Sequence, residues 1–175
     1  VAKFTGEVRF NEQWLDQPLR WKKPRMIFVC AHGDLFHESV PDEWIDRVFA
    51  VMSLTPRHTY QILTKRPELM LAWFNHDPDI GRFGYVEHRA KSIARSRGAE
   101  IPPGKTLIGT WPWPNVWLGV SCEDQASYNE RANHLINTPA AVRYLSCEPL
   151  LGNIELHSAW ISKIHWIIVG GESSK

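Results

Sequence analysis

Five short apolar runs recur along the chain, at 26–30, 59–63, 116–121, 142–147 and 165–169. Apart from some alternation in the third, each is continuously apolar and rich in Ile, Val, Leu, Phe or Tyr. Strands covered on both faces have this character, and parallel sheets are built from them. Between the runs the period changes to that of a helix. Pro41-Asp42-Glu43 opens the clearest case, with acids in the first turn to suit the helix dipole. Trp44, Ile45, Val48, Phe49 and Met52 then fall on one face. Pro67 opens a second helix carrying Leu69, Met70, Trp73 and Phe74. Residues 86–97 form a third, and 124–137 a fourth with Tyr128, Ala132 and Leu135 toward the core.

Strand then helix, repeated in this order, predicts right-handed crossovers and a mostly parallel sheet. The expected fold is α/β, a partial (β/α) barrel of about five strands flanked by helices, in a single domain over residues 1–175. A doubly wound sheet is the alternative, weakened because no glycine-rich phosphate loop follows any strand. The main irregular insertion is 98–114, rich in Pro, Gly and Trp. It reads either as a lid or partner-binding loop presenting Trp111 and Trp113, or as a loop stapled down by those same rings.

Composition narrows the classes further. The 175 residues are 43% hydrophobic and 22% charged, which excludes a disordered chain, a collagen-like repeat or a coiled coil. Twenty basic residues against nineteen acidic ones leave a formal charge of +1. Nucleic-acid binding is therefore open but not indicated by net charge. The basic residues Arg89, Lys91, Arg95 and Arg97 read as a solvated helix face. No apolar run is long enough to span a bilayer, no export signal opens the chain, and the expected compartment is the cytoplasm. Cys30, Cys122 and Cys147 are isolated, without metal-site spacing, and are expected to be reduced and buried.

Parallel α/β folds collect functional groups at the carboxyl ends of their strands. Just past the first run stand His32, Asp34 and His37, and past the second Thr64, Lys65 and Arg66. Ser121, Glu123 and Asp124 follow the third, Ser146 and Glu148 the fourth, and Gly170, Gly171, Glu172 and Ser173 the fifth. Asp34 and His37 suit a metal ion or a shared proton, or else cap a turn. Thr64-Lys65-Arg66 before Pro67 places two cations at a helix start, an expected anion site. Glu123 and Glu148 form either a carboxylate pair or separate caps and salt bridges. Gly170-Gly171-Glu172 permits close backbone approach to a ligand, with Glu172 receiving an amine or hydroxyl.

Gly-Asp-Leu-Phe-His-Glu at 33–38, Leu-Thr-Lys-Arg-Pro at 63–67, Trp-Leu-Gly-Val-Ser at 117–121, Leu-Ser-Cys-Glu-Pro-Leu-Leu-Gly at 145–152 and Val-Gly-Gly-Glu-Ser at 169–173 carry a resemblance. In this order they are similar to the phage- and prophage-encoded radical-SAM-like family, sometimes found beside a three-cysteine-motif partner protein. The similarity runs from about Phe4 to Ser173. It implies a partial (β/α) barrel that binds S-adenosylmethionine and a four-iron cluster at its top, with Gly170, Gly171 and Glu172 matching a segment that contacts the cofactor's amino end. The family also carries an N-terminal stretch of cluster-ligating cysteines, which this sequence does not contain.

The expectation is therefore a domain with no cofactor of its own. It would act by binding a host or phage protein, in a host or anti-defence role, or by self-association through open sheet edges. Trp111, Trp113 and Trp117 would be its anchors. The alternative is the central piece of a radical S-adenosylmethionine enzyme that modifies nucleic acid or protein. In that reading Asp34, His37, Glu123 and Glu148 are the catalytic candidates. Thr64, Lys65, Arg66, Ser121, Gly170, Gly171, Glu172 and Ser173 would then bind the ligand. A hydrolase or metal site built on Asp34, His37 and the glutamates is weakest, since no metal-binding spacing recurs.

Overall fold

A computed structural model describes residues 7–76, 81–96 and 111–171. Two single-turn helices, α1 (Glu12–Leu15) and α2 (Gln17–Arg20), precede β1 (Met26–Val29) and α3 (Asp42–Leu54). Then come β2 (Thr59–Thr64), α4 (Pro67–Phe74), α5 (Arg82–Ser96), β3 (Val116–Ser121), α6 (Gln125–Asn137), β4 (Val142–Cys147), α7 (Ser158–Ile161) and β5 (Trp166–Val169). The five strands form one sheet in the order β1-β2-β3-β4-β5, every pair parallel. The fold is α/β, as the strand–helix alternation predicts, and the sheet stays open, with β1 and β5 as its edges.

Sequential parallel neighbours joined by right-handed crossovers place their helices on the same face of the sheet. Burial follows that geometry. Ile27, Val29, Tyr60, Ile62, Leu118, Val120 and Leu145 belong to or pack against the core. On the opposite face Met26, Phe28 and Trp166 stay 60%, 46% and 41% exposed. The centre of that second face is filled from within the sheet. Leu63, Gly119, Tyr144 and Trp166 lie side by side in register. The Tyr144 ring lies across Gly119, where a β-carbon would come within 2.4 Å of Cζ. Only glycine lets the ring settle there.

Tyr144 is buried, its hydroxyl finds no hydrogen-bond partner among the described residues, and burial pushes its pKa up. A buried hydroxyl without a partner costs about 1–3 kcal/mol. Tyr144→Phe is accordingly expected to leave the fold intact and raise stability by about 1 kcal/mol, read as a higher urea midpoint.

Local chemistry adjusts the predicted boundaries. The first strand ends at Val29 because Cys30 takes φ 55, which breaks the extended run. Cys30 is also exposed, whereas Cys122 and Cys147 are buried. The expectation of three buried thiols thus holds for two; the turn at Cys30 carries its side chain out of the core. The third long helix begins at Arg82, a turn ahead of the predicted start at 86. Arg82 is buried between Asp42 and Asp46 of α3, so a residue that reads as polar surface is part of the packing.

Of the insertion at 98–114, residues 98–110 lie outside those described. The part that follows is stapled down. Trp113 is fully buried. Trp111 packs 4.9 Å from both Phe74 and Phe83, and its Nε1 donates to the Pro139 carbonyl at 3.0 Å. Phe49 completes this cluster, 5.9 Å from Trp111 and 6.2 Å from Trp113. The two rings expected as partner anchors are therefore core anchors, drawn in by aromatic neighbours on α3, α4 and α5. Trp117 is half-buried on the second sheet face, edge-on to Trp166 at 5.9 Å.

Candidate functional site at the carboxyl rim of the sheet

All strands run the same way, so the residues that follow them meet on one rim. At the end of β1 the chain turns at Cys30 and Gly33, and Asp34 points toward β2. Its carboxylate accepts from Phe36 N–H at 3.0 Å, Lys65 N–H at 3.0 Å and the Thr64 hydroxyl at 2.7 Å, with Arg66 Nη1 at 3.3 Å. The Thr64 hydroxyl in turn accepts from Arg66 N–H at 2.9 Å. Just ahead of α4, where the sequence predicts an anion site, the chain's own Asp34 thus takes up the Lys65 N–H and part of the Arg66 guanidinium.

His37 does not join it. His37 Nδ1 accepts from Ser39 N–H at 3.1 Å, and Nε2 lies 3.5 Å from Glu38. Of the two readings for Asp34 and His37 the turn-capping one describes the hydrogen bonds present: Asp34 takes the Phe36 N–H and reaches Thr64 and Lys65, while His37 takes the Ser39 N–H. Among the described residues no group of three or more His, Cys, Asp or Glu is placed to hold a metal ion.

The next two strands contribute a charge network. Lys65 Nζ pairs with Glu123, which also receives Arg131 Nη1 at 2.9 Å; the same Arg131 nitrogen donates to the Ser121 carbonyl at 2.8 Å. Arg66 Nε donates to Glu38 at 2.5 Å. Arg131 and Glu38 had escaped the strand-end rule, since one lies within α6 and the other in the turn after β1. No local sign in the sequence marks the Arg131–Glu123 pair, since Glu123 precedes the N-cap of α6 and Arg131 reaches it from the second turn of that helix. Asp124 is the N-cap of α6, its Oδ1 accepting from Ser127 N–H at 2.8 Å.

Burial opposes the charge of Glu123, but the Lys65 hydrogen bond, a backbone N–H and the charges of Lys65 and Arg131 outweigh it. They hold the pKa below its usual 4.5. A depressed acid stabilises the fold above its unfolded pKa, and that contribution is lost as pH falls through the folded value. Glu123→Gln is expected to lose about 1–2 kcal/mol at neutral pH. The difference from the parent should shrink below pH 4.5, followed by urea melts across pH.

β4 and β5 complete the rim. Ser121 and Ser146 are register partners and both nearly buried. Ser146 Oγ donates to Glu148 at 3.3 Å. The Glu148 carboxylate rests against Gly170, where a β-carbon would lie 2.6 Å from its Oε1. Gly171 is exposed beside it, while Glu172 and Ser173 lie outside the described residues. The structure thus brings Asp34, Thr64, Lys65, Arg66, Ser121, Glu123, Glu148 and Gly170 to one edge, and leaves His37 on the flank. Glu123 and Glu148 follow adjacent strands but differ in state: the first is neutralised by two cations, the second by none among the described residues.

These features define an open, all-parallel α/β protein with a polar rim at the carboxyl ends of its strands. The whole chain, residues 1–175, matches the family described as "Protein of unknown function (DUF5131)", and the chain belongs to that family. No curated protein and no solved structure matches it.

Proposed function

We propose that the chain contributes five consecutive strands of a radical-SAM-like (β/α) barrel and binds a small polar ligand at their carboxyl rim. S-adenosylmethionine is the ligand that the resemblance in the sequence names. The observation that carries this reading is the convergence of polar side chains from β1 to β4 on one edge. Glu148 is left without a counter-ion there, and the Tyr144 hydroxyl without a partner lies lower on the same strand face. Glu148 is exposed and hydrated, so only the buried Tyr144 hydroxyl carries a cost for lacking a partner.

The described cysteines do not suit an iron–sulfur cluster. Burial raises the pKa of Cys122 to about 12 and also lifts those of Cys147 and Cys30. Cys30 follows β1, two strands away from Cys122 and about 10 Å across the sheet. Cluster ligation needs thiolates on one small site. Accordingly no reductive chemistry is assigned to these residues.

Equilibrium dialysis against labelled S-adenosylmethionine tests the reading. Saturable binding of one ligand per chain is expected, and absence of binding at millimolar ligand would overturn it. A second reading, a host or phage protein seated across the uncovered sheet face, is favoured by the exposure of Met26, Phe28 and Trp166 on the two edge strands. It predicts association in size-exclusion chromatography, and elution as a 20.2 kDa monomer counts against the self-association form of it. No described helix is long and apolar enough to cross a membrane.

A further inference from the structure

A groove of about 240 Å³ opens on the helix side of the sheet, between the turn after β1, the start of α3 and one face of α4. Leu69, Ala72 and Trp73, with His76 just past the end of α4, stand at i, i+3, i+4 and i+7, so one stripe of that helix makes a wall. The floor is apolar. Phe36, Ile45 and Trp73 are buried, with the Phe36 ring edge-on to Trp73 at 6.1 Å. Ala72 presents only a methyl group here, which leaves the space open. Protein interiors hold few voids larger than a water molecule. An apolar cavity of about 150 Å³ takes up benzene, so this groove has room for one ring and a polar substituent.

The polar part of the lining narrows the occupant. Glu38 and Asp42 are the charged side chains on it, each held by an arginine that does not itself line the groove. The other polar groups are two imidazoles. His37 Nδ1 accepts from Ser39 N–H, and the His76 ring has no hydrogen bond among the described residues. Carboxylates on the lining disfavour an anion, and imidazoles suit a hydroxyl, which both donates and accepts. Extent sets the kind of occupant. Leu69, 37% exposed, is the one exposed large apolar side chain of α3 and α4. These helices therefore offer nothing near the roughly 800 Å² that each partner of a stable protein interface buries. We propose that the groove binds a small neutral phenol, its ring against Phe36 and Trp73 and its hydroxyl among His37, Glu38 and His76. The site lies apart from the rim and goes beyond the ligand reading above. Arg66 stands between the two, bonded to Glu38 on one side and Asp34 on the other.

Titration of p-cresol, 4-hydroxybenzoate and N-acetyltyrosinamide into the ¹⁵N-labelled chain tests the assignment. p-Cresol is expected to shift the Val40, Leu69, Ala72 and His76 amides saturably, with a Kd of about 1 mM, an ordinary efficiency for a ligand of this size. It should bind about fivefold more tightly than 4-hydroxybenzoate, the scale of one exposed charge interaction, and more tightly than the tyrosine derivative. Glu38→Gln is expected to remove the discrimination against the carboxylate while p-cresol still binds. Ala72→Phe fills the groove and should abolish the shifts. Leu69→Ala lowers one wall and should weaken binding about threefold, with the fold unchanged. Shifts centred on other residues, no saturation by about 10 mM, equal affinity for 4-hydroxybenzoate, or p-cresol shifts that persist in Ala72→Phe overturn the assignment. If Ala72→Phe does not fold, Leu69→Ala decides, and unchanged affinity there overturns it. Tighter binding of N-acetyltyrosinamide than of p-cresol marks a seat for the tyrosine of a polypeptide, and overturns the small-molecule assignment as well.

Discussion

Arg82→Met is expected to lower the unfolding free energy by about 3–5 kcal/mol, the largest effect of any single substitution considered. Arg82 opens α5, and its side chain is 3% exposed. It pairs through Nη2 with Asp42, lies 3.4 Å from Asp46 Oδ1 through Nη1, and donates from Nε to the Trp73 carbonyl at 3.2 Å. The guanidinium also sits 4.9 Å over the Trp73 ring. One cation thereby ties α3, α4 and α5 together. Methionine keeps much of the volume but leaves Asp46, itself 4% exposed, as a buried charge without its cation.

The pH dependence separates that cause from simple loss of packing. Burial already raises the pKa of Asp46, with Arg82 opposing and Asp42 reinforcing the shift. Without Arg82 the folded pKa rises further. An acid whose pKa is raised on folding binds more protons in the native state, so stability falls as pH rises from the unfolded pKa through the folded one. The deficit of Arg82→Met should therefore be greatest at neutral pH and partly recovered toward pH 4, where Asp46 takes up a proton. Urea melts of parent and variant at matched pH measure this. A deficit independent of pH would assign the loss to packing instead. The pair Arg82→Met with Asp46→Asn should recover part of the stability at neutral pH.

Arg82 also shows where the sequence is silent. A charged residue at the start of a helix carries no local mark of burial; its environment is set by Asp42 and Asp46, forty and thirty-six positions earlier. The strands were legible because their signal is local. Residues 116–121 and 142–147 are apolar runs of strand length, and β3 and β4 occupy those bounds. β2 runs one residue past its apolar stretch because the Thr64 hydroxyl finds Asp34, a partner thirty residues away. Trp111 and Trp113, set among prolines, read equally well as exposed anchors; only the arrival of Phe49, Phe74 and Phe83 from three separate helices makes them core. The same division holds at the rim. Strand direction delivers Asp34, Lys65, Glu123 and Glu148 to one edge, but which charges cancel is decided by side-chain reach between strands. Hence the free carboxylate could not be told from the paired ones.

Asp34→Ala is expected to cost about 2–4 kcal/mol, and to do so through the loop it organises. Its carboxylate holds the N–H groups of Phe36 and Lys65 and the hydroxyl of Thr64, which is itself buried. Alanine leaves two backbone donors and a buried hydroxyl without their acceptor, and hydrogen bonds to a charged group contribute about 1.5–3 kcal/mol. Leu35 and Phe36, both buried, follow directly, and Phe36 stands 6.1 Å from Trp73, so release of the loop loosens core contacts as well. Asp34→Asn preserves the volume and one acceptor oxygen but turns its NH₂ toward a donor; an intermediate loss is expected. Hydrogen exchange gives the decisive reading. The Phe36 and Lys65 amides should lose protection in Asp34→Ala well beyond the loss shared by the central strands. Uniform loss across the sheet would mean that Asp34 acts only through global stability. Selective loss would mark it as the residue that positions Lys65 and Arg66 on the rim, a carboxylate with its acceptor sites engaged by the chain and not one held free for chemistry.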